Sequence, residues 1–293
     1  MPDPALSLEA RRIGFIGAGR LGKALAWSFA DRGLRVTAVA SSTRASALSL
    51  AEQIEGCAVV NLQEAIDACD LVFVTTPDGA IAATVAQARW RPGIAVAHCS
   101  GVTEVAALHK AACDGAMIGG FHPMQTFGDP AAAMRSLAGC TITVEAQEPL
   151  NAVLVALAAR LECGVNRLPP GMRGRYHAAA GYTSQFINAL FGEAAAIWRS
   201  WGATEEEAVR ALLPMARGTL ASIESAGIAG GMPGPVSRGD VDSVAKHVAA
   251  LAELDAPTRL LYRQLCERTV VLAIQRGAID ASVAARLRKV LAS

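Results

Sequence analysis

Arg12-Ile13-Gly14-Phe15-Ile16-Gly17-Ala18-Gly19-Arg20-Leu21-Gly22-Lys23-Ala24-Leu25 sets G-x-G-x-x-G directly between an apolar strand pattern and an amphipathic helix pattern. Each glycine has a separate physical task. Gly17 permits the tight strand-to-helix turn, Gly19 lets backbone approach a pyrophosphate, and Gly22 lets the helix pack closely on a sheet. The helix start at Arg20 and Leu21 would present unpaired N–H groups and the positive end of its dipole to the phosphates. Glycine-rich turns are common as plain packing turns, so the motif alone is weak. The strand before it and the helix after it make it a dinucleotide fingerprint.

The same reading predicts a second strand over 34–40, whose end is where a site for the unphosphorylated ribose carries Asp or Glu. This chain instead runs Ser41-Ser42-Thr43-Arg44. Three hydroxyls and a guanidinium suit a 2′-phosphate through charge-assisted, bidentate hydrogen bonds. NADP is therefore the cofactor expected, with a solvated polar loop and an incidental Arg44 as the alternative.

The 293 residues carry a formal charge of +1, which leaves no electrostatic footprint for nucleic acid or an anionic membrane surface. Apolar residues fall in short runs and alanine-rich stretches, none long enough to span a bilayer, so a soluble chain is expected. Met1-Pro2-Asp3-Pro4-Ala5-Leu6-Ser7-Leu8-Glu9 lacks the basic start and apolar core of a signal peptide. The seven cysteines, at 57, 69, 99, 113, 140, 163 and 266, are odd in number and lack C-x-x-C spacing. Together these features predict a cytoplasmic protein with reduced thiols and no metal site. Cys99 is the one cysteine beside a suspected site, where a small buried hydrophobe is its first reading.

A chain of this length allows about two domains. From residue 12 to about 168, β-rich runs alternate with helical patterns, as in a doubly wound parallel sheet. After the first two strands these runs fall at 58–60, 71–75, 94–97, 117–121, 141–144 and 165–168. Pro169-Pro170-Gly171 breaks the alternation, and the remainder is helical in period. Helices are predicted at about 174–201, 204–226, 240–254, 256–277 and 281–291, with a gap over 227–239. The expected organisation is α/β: a Rossmann domain over 1–170 that binds NADP, then an all-helical domain over 171–293 for substrate and dimerisation. Alanine-rich helices with apolar faces often complete their burial in a homodimer.

Several further segments carry residue types that could do chemistry. Thr75-Thr76-Pro77-Asp78 ends the fourth strand, so Thr75, Thr76 and Pro77 are expected at the cofactor crevice, while Asp78 is read first as a helix N-cap. His98-Cys99-Ser100-Gly101 ends the fifth strand at the same edge. Ser100 can hydrogen-bond a substrate oxygen or form the turn before a helix near Thr103-Glu104, and His98 is assigned to the strand. Phe121-His122-Pro123-Met124-Gln125-Thr126-Phe127 reads as a turn after the next strand that forms a pocket wall. There His122 is either catalytic or a structural histidine bonded to backbone.

In the helical half, His177, Gly181, Ser184 and Asn188 fall in a narrow stripe at about 100° per residue. His177, Ser184 and the adjacent Gln185 could meet substrate or nicotinamide there, or form a satisfied interhelical network. Gly230-Gly231-Met232-Pro233-Gly234-Pro235-Val236-Ser237-Arg238-Gly239-Asp240 separates two helices. Asp240 is expected to cap the second of them, and Arg238 is a candidate clamp for a substrate carboxylate or phosphate.

With the fingerprint, His98-Cys99-Ser100-Gly101, the Phe121–Phe127 segment, Tyr176-His177-Ala178-Ala179-Ala180 and Gly234-Pro235-Val236-Ser237-Arg238-Gly239-Asp240 on one chain, the sequence resembles the Rossmann-like proteins with a C-terminal domain of unknown function 2520, over nearly its whole length. That family is similar in architecture to ketopantoate reductase, pyrroline-5-carboxylate reductase and the 3-hydroxyacid dehydrogenases, which implies NADP-linked reduction. The catalytic Lys/Asn pair of the related dehydrogenases does not carry over. Arg173 and Arg175 stand where a Lys would precede the Tyr-His pair, and Ser184-Gln185 stands where the family has Ser-Asn. The function expected is NADPH-dependent reduction of a small carbonyl or imine bearing a carboxylate. His177 would act as the acid, Ser184, Gln185, Ser100 and His122 would polarise or orient the substrate, and Arg238 would hold its anionic end. A catalytically silent NADP-binding sensor and a ketopantoate-specific reductase are the rival readings.

Overall fold

The computed structural model describes residues 8–293; of the N-terminal stretch considered for a signal peptide, residues 1–7 lie outside the described residues. Chain contacts divide the molecule into two compact units, Met1–Ser184 and Gln185–Ser293.

The first unit alternates β1 (Arg12–Ile16), α1 (Arg20–Asp31), β2 (Arg35–Ala40), α2 (Arg44–Ala51), β3 (Ala58–Val59), α3 (Leu62–Ala68), β4 (Leu71–Val74), α4 (Ile81–Ala86), β5 (Ala95–His98) and α5 (His109–Cys113). It continues through β6 (Met117–Pro123), α6 (Pro130–Arg135), β7 (Thr141–Ala146), α7 (Leu150–Arg160), β8 (Gly164–Arg167) and α8 (Arg173–Tyr182). All eight strands join one sheet in the order β3-β2-β1-β4-β5-β6-β7-β8. The order reverses between β1 and β4, and a crevice opens outside the carboxyl ends of strands at such a point.

The strands are apolar on both faces because both faces are covered. Phe15, Phe29, Phe73 and Phe121 form an aromatic cluster on one side, with Phe15 and Phe73 stacked at 5.5 Å. Ile16, Ile66, Val72, Val74 and Val96 pack on the other. Every strand expected from the sequence is present, but the sheet is mostly rather than wholly parallel, since β6 and β7 pair antiparallel. That pairing draws His122 opposite Thr143 and Pro123 opposite Ile142. His122 therefore belongs to a strand, not to the turn expected for it, because β7 supplies ladder partners beyond Phe121.

The long helix expected over 174–201 is two helices. α8 ends at Tyr182 with Thr183 at φ −105° and ψ 7°, and a new helix begins at Gln185. The stripe of His177, Gly181, Ser184 and Asn188 thus does not run along one continuous helix. Although α8 follows the Pro169-Pro170-Gly171 break, it falls in the first unit, anchored by the buried Arg173 side chain. Arg173 Nε donates to Glu145 on β7 at 2.7 Å, and its Nη1 donates to the Ser100 carbonyl at 2.7 Å.

The second unit is helical: α9 (Gln185–Arg199), α10 (Glu205–Gly230), α11 (Val241–Leu251), α12 (Ala256–Gln275) and α13 (Ala281–Ala292). Its core holds Val244, Val270, Ala273, Ala284 and Leu287. Side-chain caps set the helix starts: Thr204 and Glu207 form a capping box on α10, and Asp240, Asp255 and Asp280 cap the next three helices. The expected gap begins where Gly227 leaves helical geometry at φ 73°. Arg276 pins the following loop through the Ala229 and Ser237 carbonyls. No helix among the described residues is long and apolar enough to cross a membrane, and none of their His, Cys, Asp and Glu groups cluster as metal ligands would.

Candidate functional site

The glycine turn is built as its spacing demands. Gly17 adopts φ +109°, and a Cβ there would lie 2.7–2.8 Å from the Thr75–Thr76 backbone. A Cβ on Gly22 would lie 2.6 Å from the Gly17 carbonyl. Thr75 Oγ1 donates to that same carbonyl at 2.7 Å, so β4 locks the turn from behind. At Gly19 the situation is opposite: nothing lies within 4 Å of an added Cβ. Gly19 is also the N-cap of α1 with no side-chain cap bond, which leaves the first-turn N–H groups without a side-chain acceptor.

A cleft of about 850 Å³ lies over this turn. Gly17, Gly19, Arg20 and Leu21 form one part of its lining, Ser41 and Ser42 another, and Thr75, Thr76 and Pro77 a third. Gly22 supports the floor from beneath, and Arg44 opens α2 immediately beyond the lining residues Ser42 and Thr43. No carboxylate stands at the end of β2, where Thr43 N donates to Ser41 Oγ at 3.3 Å. Thr76 Oγ1 is buried without a hydrogen-bond partner, an acceptor and donor available to a ligand in the cleft. Ser46, Asn61, Thr84 and Gln87 also line it. These four escaped the sequence reading, although Asn61 could have been found by extending the carboxyl-edge rule to the end of β3.

At the far end the cleft reaches Asp78, Cys99 and Ser100. Asp78 does not form the side-chain cap expected of it: the short turn it opens follows Pro77 with no capping bond. Its exposed carboxylate remains in the cleft. Ser100 is 6% exposed, and its Oγ accepts from Val102 N and Thr103 N at 3.2 and 2.9 Å. The hydroxyl therefore builds the turn while the residue lines the cleft. Cys99 is buried.

Beside Ser100 three imidazoles converge. His98 is fully buried, accepts from Ser100 N at its Nδ1, and is pushed down to about 3 by burial, with Arg173 and His122 adding to the effect. His122 is likewise lowered to about 4 by burial and by the neighbouring His177 and Arg173. Both are neutral at physiological pH. His122 Nδ1 meets the Tyr176 hydroxyl at 2.7 Å, and its ring stands edge-on to Tyr176 and His177. A Cβ on Gly101 would lie 2.5 Å from His177 Nδ1 and 2.9 Å from His122 Nε2. His122, His177 and Ser100 are thus brought together around Gly101.

Ser184 ends the first unit, where its Oγ donates to the Ala180 carbonyl at 2.8 Å. Gln185 opens the second unit, and Arg238 lies within it on the exposed end of the short turn Val236–Arg238. The main omissions of the sequence reading are Arg173 and Tyr176. Both act through partners 28 and 54 residues away in the chain, Glu145 and His122.

Residues 2–123 match the family model of the Rossmann-like domain, and residues 140–269 match the domain of unknown function DUF2520. A protein from Bacteroides fragilis described as a candidate NADP oxidoreductase is 25% identical, with a TM-score of 0.70 over 90% of this chain and 99% of its own. A protein from Thermotoga maritima is 22% identical, with a TM-score of 0.73 over the same shares. The reductive aminase from Aspergillus terreus, solved with NADPH and ethyl-5-oxohexanoate, shares the fold at 19% identity and a TM-score of 0.61, over 96% of this chain and 92% of its own. No curated protein matches the chain.

Proposed function

From a chain that joins a Rossmann-like domain to a DUF2520 domain, we propose an NADPH-dependent oxidoreductase that reduces a small carbonyl or imine bearing a carboxylate. The observation that carries this reading is the cleft itself. Its floor is an open Gly19 face at an uncapped helix N-terminus, and its β2 end is lined by Ser41, Ser42 and Thr43, with Arg44 next in the chain at the start of α2, where a 2′-hydroxyl reader would place a carboxylate. The similarity to the Bacteroides fragilis protein supports NADP as the cofactor.

In this assignment Gly17, Gly19 and Gly22 shape the pyrophosphate site, and the N–H groups at Arg20 and Leu21 donate to it. Ser41, Ser42 and Arg44 hold the 2′-phosphate, while Thr75, Thr76 and Pro77 wall the route toward Cys99 and Ser100. When bound, NADPH supplies a hydride donor at its nicotinamide C4. In the first unit Ser100, His122, His177 and Ser184 orient the electrophile; in the second unit, taken by itself, Gln185 and Arg238 are candidate substrate-binding residues. We assign residues 1–170 to cofactor binding and 171–293 to substrate binding and homodimer formation, in the cytoplasm.

The test is loss of nicotinamide absorbance when the full chain and NADPH meet a panel of 2-oxo acids and cyclic imines. Turnover of one panel member is expected. Tight NADPH binding with no turnover across the panel would favour a nucleotide-binding sensor instead.

A further inference from the structure

Cys140 and Cys163 stand 23 residues apart in the chain, yet their sulfurs lie 3.6 Å from each other. The sheet of the first unit puts them there. β7 and β8 run parallel with Thr141 opposite Gly164, so the two cysteines are the next pair in register, just before each strand begins. Each follows a residue in the left-handed region, Gly139 at φ +82° and Glu162 at φ +59°, and both chains turn into the sheet side by side. Gly139 N donates to the Glu162 carbonyl and Gly164 N to the Cys140 carbonyl, both at 2.9 Å. Hydrogen bonds on either side thus hold the two backbones at the spacing of neighbouring strands, about 4.8 Å. A disulfide spans roughly 4.4–6.8 Å between Cα atoms. Joining the sulfurs therefore asks for side-chain rotation rather than movement of the sheet.

The two thiols are not equivalent. Cys163 is buried in the core of the first unit, and its hydrogen has acceptors in the Cys140 sulfur and in the Leu137 carbonyl at 3.1 Å. Cys140 is half-buried. Their shared hydrogen bond pushes the Cys163 thiol up, with burial adding to the effect, and holds Cys140 below the ordinary thiol value. Cys140 is the attacking sulfur of the pair, and Cys163 is placed to resolve what forms on it.

We propose that Cys140 and Cys163 form a reversible oxidation site, a dithiol that a hydroperoxide converts to an intramolecular disulfide. The Cys140 thiolate attacks one peroxide oxygen, the O–O bond breaks, and the other oxygen leaves as hydroxide and takes a proton from solvent. Cys140 is then a sulfenic acid. The Cys163 sulfur attacks the Cys140 sulfur, the S–O bond breaks, and the hydroxyl leaves as water with the Cys163 proton. Two thiols give up two electrons and two protons, and the peroxide becomes two molecules of water. A small dithiol restores both cysteines by thiol–disulfide exchange.

The bond would clip an edge. β8 is the last strand of the sheet and pairs only with β7, and the segment closed between the cysteines carries β7 and α7. Oxidation thus ties down the strand that the sheet holds from one side alone. Neither cysteine lines the nucleotide cleft, so the site stands whether or not the chain is a reductase.

Peptide mapping of the full chain, treated with hydrogen peroxide at a dose that oxidises the exposed Cys113, reads the site directly. Trypsin cuts after Arg135, Arg160 and Arg167, which puts Cys140 and Cys163 on separate peptides, 136–160 and 161–167. They are expected to be linked, lighter by two hydrogens than their sum, and parted by dithiothreitol; Cys113→Ser should give the same link. Cys163→Ser should stop at a Cys140 sulfenic acid that dimedone traps, and Cys140→Ser should leave Cys163 a free thiol. The oxidised wild type should melt about 5–15 °C above the reduced protein. Unlinked peptides in the wild type, a link from either cysteine to a different one, or an oxidised Cys163 in Cys140→Ser would overturn the proposal. A Tm no higher than that of the reduced protein would overturn the claim that the two backbones already fit the bond.

Discussion

Two glycines of one motif should fail in different ways when each gains a methyl group. At Gly17 the backbone is at φ +109°, and a Cβ would lie 2.7–2.8 Å from the Thr75 and Thr76 backbone. The left-handed strain costs about 1–3 kcal/mol, and overpacking against backbone that β4 holds in place adds about 1–3 kcal/mol. At roughly 2–4 °C per kcal/mol for a chain of this size, Gly17→Ala should lower Tm by about 4–24 °C. At Gly19 the backbone is extended, at φ −73° and ψ −175°, and the added Cβ meets nothing within 4 Å. The only folding cost is the weaker N-cap, about 0.5–1 kcal/mol, or about 1–4 °C. The methyl group would nevertheless occupy the space where a pyrophosphate approaches the N–H groups of α1. Losing one charged hydrogen bond of about 1.5–3 kcal/mol weakens NADPH binding roughly 10- to 100-fold. Calorimetry and nicotinamide fluorescence titration on both variants measure the two effects. Wild-type affinity in Gly19→Ala, or a Tm as low as that of Gly17→Ala, would refute the assignment of open and closed faces to these glycines.

Three further outcomes follow from other parts of the first unit. Arg44→Asp should weaken NADPH binding at least about tenfold more than NADH binding; equal losses in the two titrations would count against a 2′-phosphate role. His98 and His122 are held neutral when folded, at about 3 and about 4, while the unfolded chain protonates near 6.5. The unfolded state thus binds more protons below that value. Stability from the two rings is complete above about pH 6.5 and falls on acidification by roughly 1.4 kcal/mol per pH unit for each ring, until the folded values are reached. Thermal melts between pH 7 and 5 should show this slope, reduced in His98→Asn, and a flat profile would contradict it. Glu145→Ala should cost about 3–5 kcal/mol, because it strands the fully buried Arg173 guanidinium. A Tm drop under about 2 °C by calorimetry would rule out that anchoring role.

The strands were legible because each is a short apolar run, and buried parallel strands need apolar residues on both faces. The glycine turn was legible because Gly17, Gly19 and Gly22 answer to local backbone geometry. The direction of β7 was not, since the apolar pattern of Thr141–Ala146 is the same whichever way it pairs. The break after Tyr182 escaped because Thr183 and Ser184 continue a helix nearly as readily as they end one. In the sequence Arg173 stands out only as replacing a Lys before the Tyr-His pair, and it is Glu145 and the Ser100 carbonyl, distant in the chain, that make it a buried anchor. Tyr176 and His122 were each visible, but their contact spans 54 residues and depends on the antiparallel β6–β7 pairing that no local pattern announces. Asp78 carried a strong capping preference, yet Pro77 and a short turn take the helix start away from it.

The most direct test of the cofactor site is a paired titration of the purified full chain with NADPH and NADH, followed by nicotinamide fluorescence at one fixed ionic strength. A cleft with an open Gly19 face and Ser41, Ser42 and Arg44 at its β2 end should bind NADPH in a saturable one-to-one complex at least about tenfold more tightly than NADH. Failure to bind either nucleotide, or equal affinity for both, would contradict an NADP site in this cleft.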